Sequence, residues 1–327
     1  MVIEKILKQL TPERVKKEVE RVQNVKLPPE LQKWVKEYKK VGGRPEFIWK
    51  WLYGINKTWI YSSVQTKHSS SLIKVKTLYN MFIVLLDDIA ETKGKEKLLN
   101  ELLKIPFKQG SIEVTRLNQE EKRYLGFTQK VWRYIEKTVK RFPHYKEVKD
   151  FFNYDTAQFI NAVKYAYLVY KYPYFVNSTE CWLYIPHSMQ ILIDFDLDLM
   201  CHAKLNFEDL GRARKTVLCL QEMGRIGNWL TTWEREVKED DFTSVVIPYA
   251  LEDGIITFKS LLSKNKNKSI EKIKNSPIES FLLKKEWENR YKALNKLSKK
   301  SKLINTKEIL KRGKHLIFMH LMSRGWK

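Results

Sequence analysis

Apolar positions recur along almost the whole chain at steps of three and four, the period of helices that bury one face. No stretch sustains the alternation of a half-buried strand. The pattern predicts an all-α protein. Short helices are expected over about 3–41, closing at "VGGRP", where Gly42, Gly43 and Pro45 act as stop signals. The aromatic segment "FIWKWLYGINKTWIYSS" follows, and then a long helix from about 71 to 92, broken by "ETKGKEK". Further long helices are expected over 119–141, 145–171, 178–203, 206–238 and 277–298, and a last one over 306–323. The lysine-rich run "LLSKNKNKSIEKIKNS" at 261–276 reads as a solvated linker. No internal repeat and no compositional break divides the chain, so residues 1–327 are expected to form one helical domain, a bundle around a central apolar cavity.

Composition sharpens this picture. Apolar residues make up 43% of the chain and aromatics 13%, ample for a full core and against disorder. Only 12 glycines and 10 prolines imply few turns and long elements. Cys181, Cys201 and Cys219 lack metal-ligand spacing and read as reduced core residues. The charged, amphipathic N-terminus has no signal-peptide core, and no window reaches the roughly 18 apolar residues of a membrane span. A soluble, cytoplasmic protein is expected.

The net charge of +23 would suit a polyanion such as nucleic acid or an acidic membrane. The excess is lysine spread along the chain, however, and no nucleic-acid motif accompanies it. A solvated surface without a nucleic-acid partner is the expectation. A cationic RNA- or membrane-binding helical protein is the alternative.

Candidate chemistry lies in two acidic constellations. In "NMFIVLLDDIAE", six apolar residues end in Asp87 and Asp88, with Glu91 three further on. Positions i, i+1 and i+4 share a narrow helical sector, so three carboxylates stand together. Magnesium typically takes one or two carboxylates plus substrate phosphates and water. The bland reading is a solvated acidic helix end. The second constellation is "GRIGNWLTTWEREVKEDDF", in which Asn228, Thr232 and Glu236 recur every four residues on one face. They offer a carbonyl, a hydroxyl and a carboxylate to a hard cation. Arg235, beside Glu236, suits a phosphate oxygen. Here the bland reading is an ordinary polar helix face.

Taken together, "DDIAE" and "NWLTTWERE" resemble the aspartate-rich DDxx(D/E) motif and the (N/D)Dxx(S/T)xxx(K/R)E motif of class I terpene synthases, in the order and at the separation that bacterial members show. The likeness in order, spacing and chain length extends over essentially the whole sequence. Arg324 stands where that family places a diphosphate-binding arginine near the C-terminus. The chain departs from the family in three places. Trp229 replaces the second aspartate of the second motif, Gly325 replaces the tyrosine after the C-terminal arginine, and "TECWLYIPHSMQILIDF" lacks the usual diphosphate-sensing arginine. His187 is the nearest cationic candidate there. Pro186 fits the break in the family's corresponding helix, and equally fits a simple helix boundary.

The resemblance implies a magnesium-dependent terpene cyclase acting on a linear prenyl diphosphate, farnesyl or geranylgeranyl diphosphate by expectation, with three Mg2+ ions. Asp87, with Asp88 and Glu91, would hold two ions, and Asn228, Thr232 and Glu236 the third. Arg235 and Arg324 would contact the diphosphate. Phe82, Ile83, Val84, Tyr184, His187 and Trp229 are expected to line the substrate site. Trp51, Trp59, Tyr61 and Phe159 are further aromatic candidates, with ordinary core packing the leading reading for any one of them. Homodimers are common in the family, and the sequence leaves the oligomeric state of this chain open. A chain-elongating prenyl diphosphate synthase is the nearest enzymatic alternative, although it should carry a second aspartate-rich motif in place of Asn228-Thr232-Glu236. A degenerate synthase that binds diphosphate without turnover is the other.

Overall fold

The computed structural model describes residues 1–326, the side chain of Gln109 apart. The chain is all-α: helix accounts for 73% of it, with no strand among the described residues and one isolated bridge, Val64 to His202. The helices run α1 Val2–Leu7, α2 Pro12–Gln23, α3 Pro29–Tyr38, α4 Glu46–Thr58, α5 Ser69–Ala90, α6 Glu96–Leu102 and α7 Gln119–Val139. Next come α8 Tyr145–Lys171, α9 Ser178–Tyr184, α10 Ile191–Leu199, α11 Leu210–Lys238 and α12 Val246–Glu252. The last are α13 Phe258–Leu261, α14 Asn267–Lys274, α15 Ile278–Phe281, α16 Glu288–Ser298 and α17 Thr306–Met322.

Several expectations need correction. The run 261–276 is not a plain linker: it holds α14, whose Ser269, Ile270 and Ile273 are buried under a coat of lysines. The helix expected over 178–203 is interrupted. α9 ends at Tyr184, a 3-10 turn runs Ile185–Met189, and Gln190 takes a left-handed φ of 64° before α10 begins. Pro186, with no N–H to donate, sits inside that turn. Short α6 and α12 were not foreseen. The helix expected over 277–298 continues from α15 to α16 through a π-helical turn, Leu282–Trp287.

Residues divide into two compact units of discontinuous chain, Met1–Val19 with Lys164–Leu192 and Asn206–Trp326, and Glu20–Val163 with Ile193–Leu205. In the second, α5 packs on α4 and α7 and buries Leu72, Val75, Leu78, Tyr79, Phe82, Leu85 and Leu86. Phe82 lies 4.9 Å from Trp132 and 6.3 Å from Phe159, within an aromatic cluster joined by Tyr79 and Phe152. The run Thr66–Ala90 is long and apolar enough to cross a membrane by length and composition, and 61% of its most apolar window is buried inside the protein. One residue of that run, Lys76, is fully buried, and its ammonium donates to Asp198 at 2.8 Å and to the Trp59 carbonyl at 3.2 Å. An ion pair so deep holds only because each charge answers the other.

In the first unit, α11 is the central element, packed on α16 and α17. Gly224 of α11 permits the close approach of α17, since a Cβ there would meet the Leu316 side chain at 2.7 Å. Asp209, just ahead of α11, is buried. It accepts from Ser301 Oγ at 2.6 Å, from the Leu303 N–H at 3.0 Å and from Arg212 at 3.1 Å. The three cysteines are free and buried, and burial pushes each thiol up to about 12.

Candidate functional site

The first constellation closes α5. Asp87 and Asp88 occupy its last turn, half-buried, and Glu91 is the residue at its C-terminal boundary. A helix C-terminus carries partial negative charge, so this is an unfavourable place for three carboxylates. Arg44, from the "GGRP" stop between α3 and α4, answers the problem. Its Nε and Nη2 donate to Asp88 Oδ1 at 2.8 and 2.6 Å, and Tyr38 Oη donates to Asp88 Oδ2 at 3.3 Å. Burial works against the charge of Arg44, but Asp88, Glu91 and Asp87 together raise its pKa above the ordinary value. Asp88 is therefore already bound to a cation of the protein's own. Tyr124 Oη donates to the Leu85 carbonyl at 2.7 Å and fixes the helix one turn earlier.

The second constellation lies on α11, and the spacing holds. Thr232 Oγ1 donates to the Asn228 carbonyl at 2.9 Å, one turn back, and Glu236 follows one turn on. Thr232 and Glu236 are buried, at 5% and 8% exposure. Arg225 spans from α11 to the turn after α9, donating through Nε to the Ile185 carbonyl at 3.3 Å, through Nη2 to Ser188 Oγ and through Nη1 to Asn228 Oδ1 at 2.5 Å. Its position three residues before Asn228 is the signal that could have found it.

Past α11, Asp240 adopts a left-handed φ of 64° and turns the chain back. The Asp241 N–H then donates to the Glu236 carbonyl at 2.9 Å, and the Asp241 carboxylate, itself buried, accepts from the Thr243 N–H at 2.9 Å and Oγ1 at 2.7 Å. Burial, and then the negative charge of Asp241, push Glu236 up to about 7, against the Thr232 hydroxyl and the more distant guanidiniums of Arg235 and Arg225. Glu236 Oε2 is shielded from solvent and has no hydrogen-bond partner among the described residues. Nothing in the sequence outside that turn announces Asp241.

The remaining expected residues are placed as follows. Arg235 turns to Glu239, with Glu236 3.9 Å away. Arg324, two residues past α17, pairs with Glu234 and Glu279. Trp229 is buried edge-on against Trp182 at 4.9 Å, its indole N–H without a partner among the described residues. Tyr184 lies 5.3 Å from Tyr165, and His187 is half-buried in the 3-10 turn. Phe82 and Ile83 are buried and Val84 is half-buried. Trp51, Trp59, Tyr61 and Phe159 are all buried.

Among the described residues no three His, Cys, Asp or Glu side chains form a group able to hold a metal ion by themselves. Magnesium sites completed by substrate phosphates, hydroxyls and amide carbonyls do not require such a group. No protein-family model and no curated protein matches the chain.

Proposed function

We propose that this protein is a class I terpene cyclase, breaking the carbon–oxygen bond of a linear prenyl diphosphate and cyclising the resulting allylic cation to a sesquiterpene or diterpene. The observation that carries the reading is Glu236: a buried carboxylate whose Oε2 meets no donor, on one helical face with Asn228 and Thr232. A protein that only needed a stable helix would gain by replacing it with an apolar residue. A hard cation beside it would keep it ionised, and carbonyl, hydroxyl and carboxylate oxygens are the donors Mg2+ takes. The donor set therefore fits the metal. Asn228, Thr232 and Glu236 would hold one ion, and Asp87, with Glu91 and Asp88, the others. Bound magnesium supplies Lewis-acid stabilisation of the departing diphosphate.

The chain's own residues have separate tasks in this reading. Arg235 and Arg324 would exchange their present carboxylate partners for phosphate oxygens, as forked guanidiniums do. Apolar and aromatic walls would exclude water and stabilise the cation through ring faces. Expulsion of diphosphate takes the electron pair of the broken bond, and a proton lost from carbon, or a captured water, ends the reaction.

The test is incubation of purified protein with Mg2+ and geranyl, farnesyl and geranylgeranyl diphosphate in turn, with gas chromatography–mass spectrometry of the extract. A magnesium-dependent cyclic hydrocarbon or alcohol from one substrate is expected. A longer linear prenyl diphosphate would instead assign a chain-elongating synthase. Diphosphate binding without any product would assign a degenerate one.

A further inference from the structure

A hollow of about 500 Å³ opens between the α2–α3 connection, α3 and the first turns of α4, within the unit that begins at Glu20. Its volume lies in the range of small-molecule sites, roughly 300–1,000 Å³. Leu27 and Val35 give it an apolar floor, both buried. Four lysines line it, Lys26, Lys36, Lys39 and Lys50, against one carboxylate, Glu46. Glu46 is shared between Lys39 at 2.7 Å and Lys50 at 3.4 Å. Lys26 and Lys36 make no ion pair among the described residues. The walls are tied before any ligand arrives: Gln32 Nε2 donates to the Leu27 carbonyl at 2.7 Å, and Lys50 Nζ to the Gln23 carbonyl at 2.8 Å.

We propose that this hollow binds a phosphate-bearing organic anion of about three negative charges, the number that balances four ammoniums and one carboxylate. Lysines act on phosphate as point charges and need no bidentate geometry. Here four converge on one concavity, which concentrates their field on whatever enters. The apolar floor accommodates the organic part. Glu46 holds two of the four lysines in place. The site requires no metal and uses none of the residues assigned to the cyclase reading.

Calorimetric titration of the full chain with sodium tripolyphosphate in EDTA tests this, with orthophosphate as the less charged control. The expected result is saturable binding, tighter for tripolyphosphate, that weakens as salt is added. Removing two charges in Lys26→Gln/Lys36→Gln should weaken it at least about tenfold. Glu46→Gln should tighten it severalfold, a gain that misfolding cannot mimic. A parallel arm uses phosphatidylcholine vesicles with and without phosphatidylinositol bisphosphate. Binding that needs the phosphoinositide and both lysines assigns the phosphate to a lipid headgroup, and binding of tripolyphosphate alone assigns a soluble ligand. Absence of saturable binding in both arms, or affinity unchanged by the lysine pair and by Glu46→Gln, overturns the proposal. Neither result bears on Glu236 or Asp87.

Discussion

Asp88 and Glu236 are acidic side chains on two long helices, and they meet opposite electrical surroundings. Asp88 is half-buried and receives two N–H donors from Arg44 and the Tyr38 hydroxyl. Glu236 is buried beside a second carboxylate, and one of its oxygens receives nothing from the described residues. Asp209 shows that burial alone does not account for the difference. Burial opposes its ionisation too, yet hydrogen bonds from Ser301, Leu303, Arg212 and Lys302 hold it below the usual carboxylate range. The fold can satisfy a buried carboxylate where it needs to. At Glu236 it brings another acid instead, with Arg235 3.9 Å away, and the proposed function would place a cation there.

The widest effect should come from removing a carboxylate from either ligand set of the proposed function. Asp87→Ala and Glu236→Ala should each lower product formation by about a thousandfold or more, since the metal contribution amounts to several kcal/mol. Far-UV circular dichroism should stay helical in both. Normal turnover in both variants would remove the metal assignment.

Next in size is a control on the idea that this fold pairs its structural charges. Lys76→Met leaves Asp198 buried without its cation and should cost about 3–5 kcal/mol in denaturant unfolding. Lys76→Met/Asp198→Leu should recover much of that loss. If the double variant is no better than the single, the pair is not a self-contained unit.

The contrast itself predicts a pH dependence. In the folded chain Glu236 holds its proton up to about 7, above the ordinary carboxylate value, so the folded state binds that proton more tightly than the unfolded one. The resulting stabilisation is full below about pH 4.5 and is lost as pH rises through about 7, a decline on the order of 3 kcal/mol. Glu236→Gln should flatten that decline when unfolding is followed across the same range. Arg44→Gln, which removes the cation from Asp88, should have the smallest effect, about 1–2 kcal/mol at neutral pH, because both partners keep some solvent. A loss as large as that of Lys76→Met would erase the distinction between the two sites.

Long elements were legible because their periodicity is long. The expected 145–171 is α8 residue for residue, and α7 begins at the expected 119, where the Asn118 side chain accepts from the Glu121 N–H. The short helices α6, α12 and α14 were not: α14 buries Ile270 and Ile273 between lysines whose number outweighs them in any composition test. The break at 185–190 was visible as Pro186, but the left-handed Gln190 that completes it was not.

The site divides in the same way. Asn228, Thr232 and Glu236 could be read from spacing because one helix places all three. Arg44 reaches Asp88 from 44 positions away, and Asp241 reaches Glu236 through a left-handed aspartate, so neither partner follows from local pattern. Arg225 lies between these cases. Its bond to Asn228 follows helical spacing, whereas its bonds to Ile185 and Ser188 depend on the tertiary fold.

The most direct test of the claim that Glu236 awaits a cation is a Mn2+ titration followed by electron paramagnetic resonance, with inorganic diphosphate present, on the wild-type chain and Glu236→Gln. The account predicts that the wild type removes Mn2+ from the free signal and that the variant binds fewer ions, or binds them far more weakly. A variant that titrates like the wild type would contradict it.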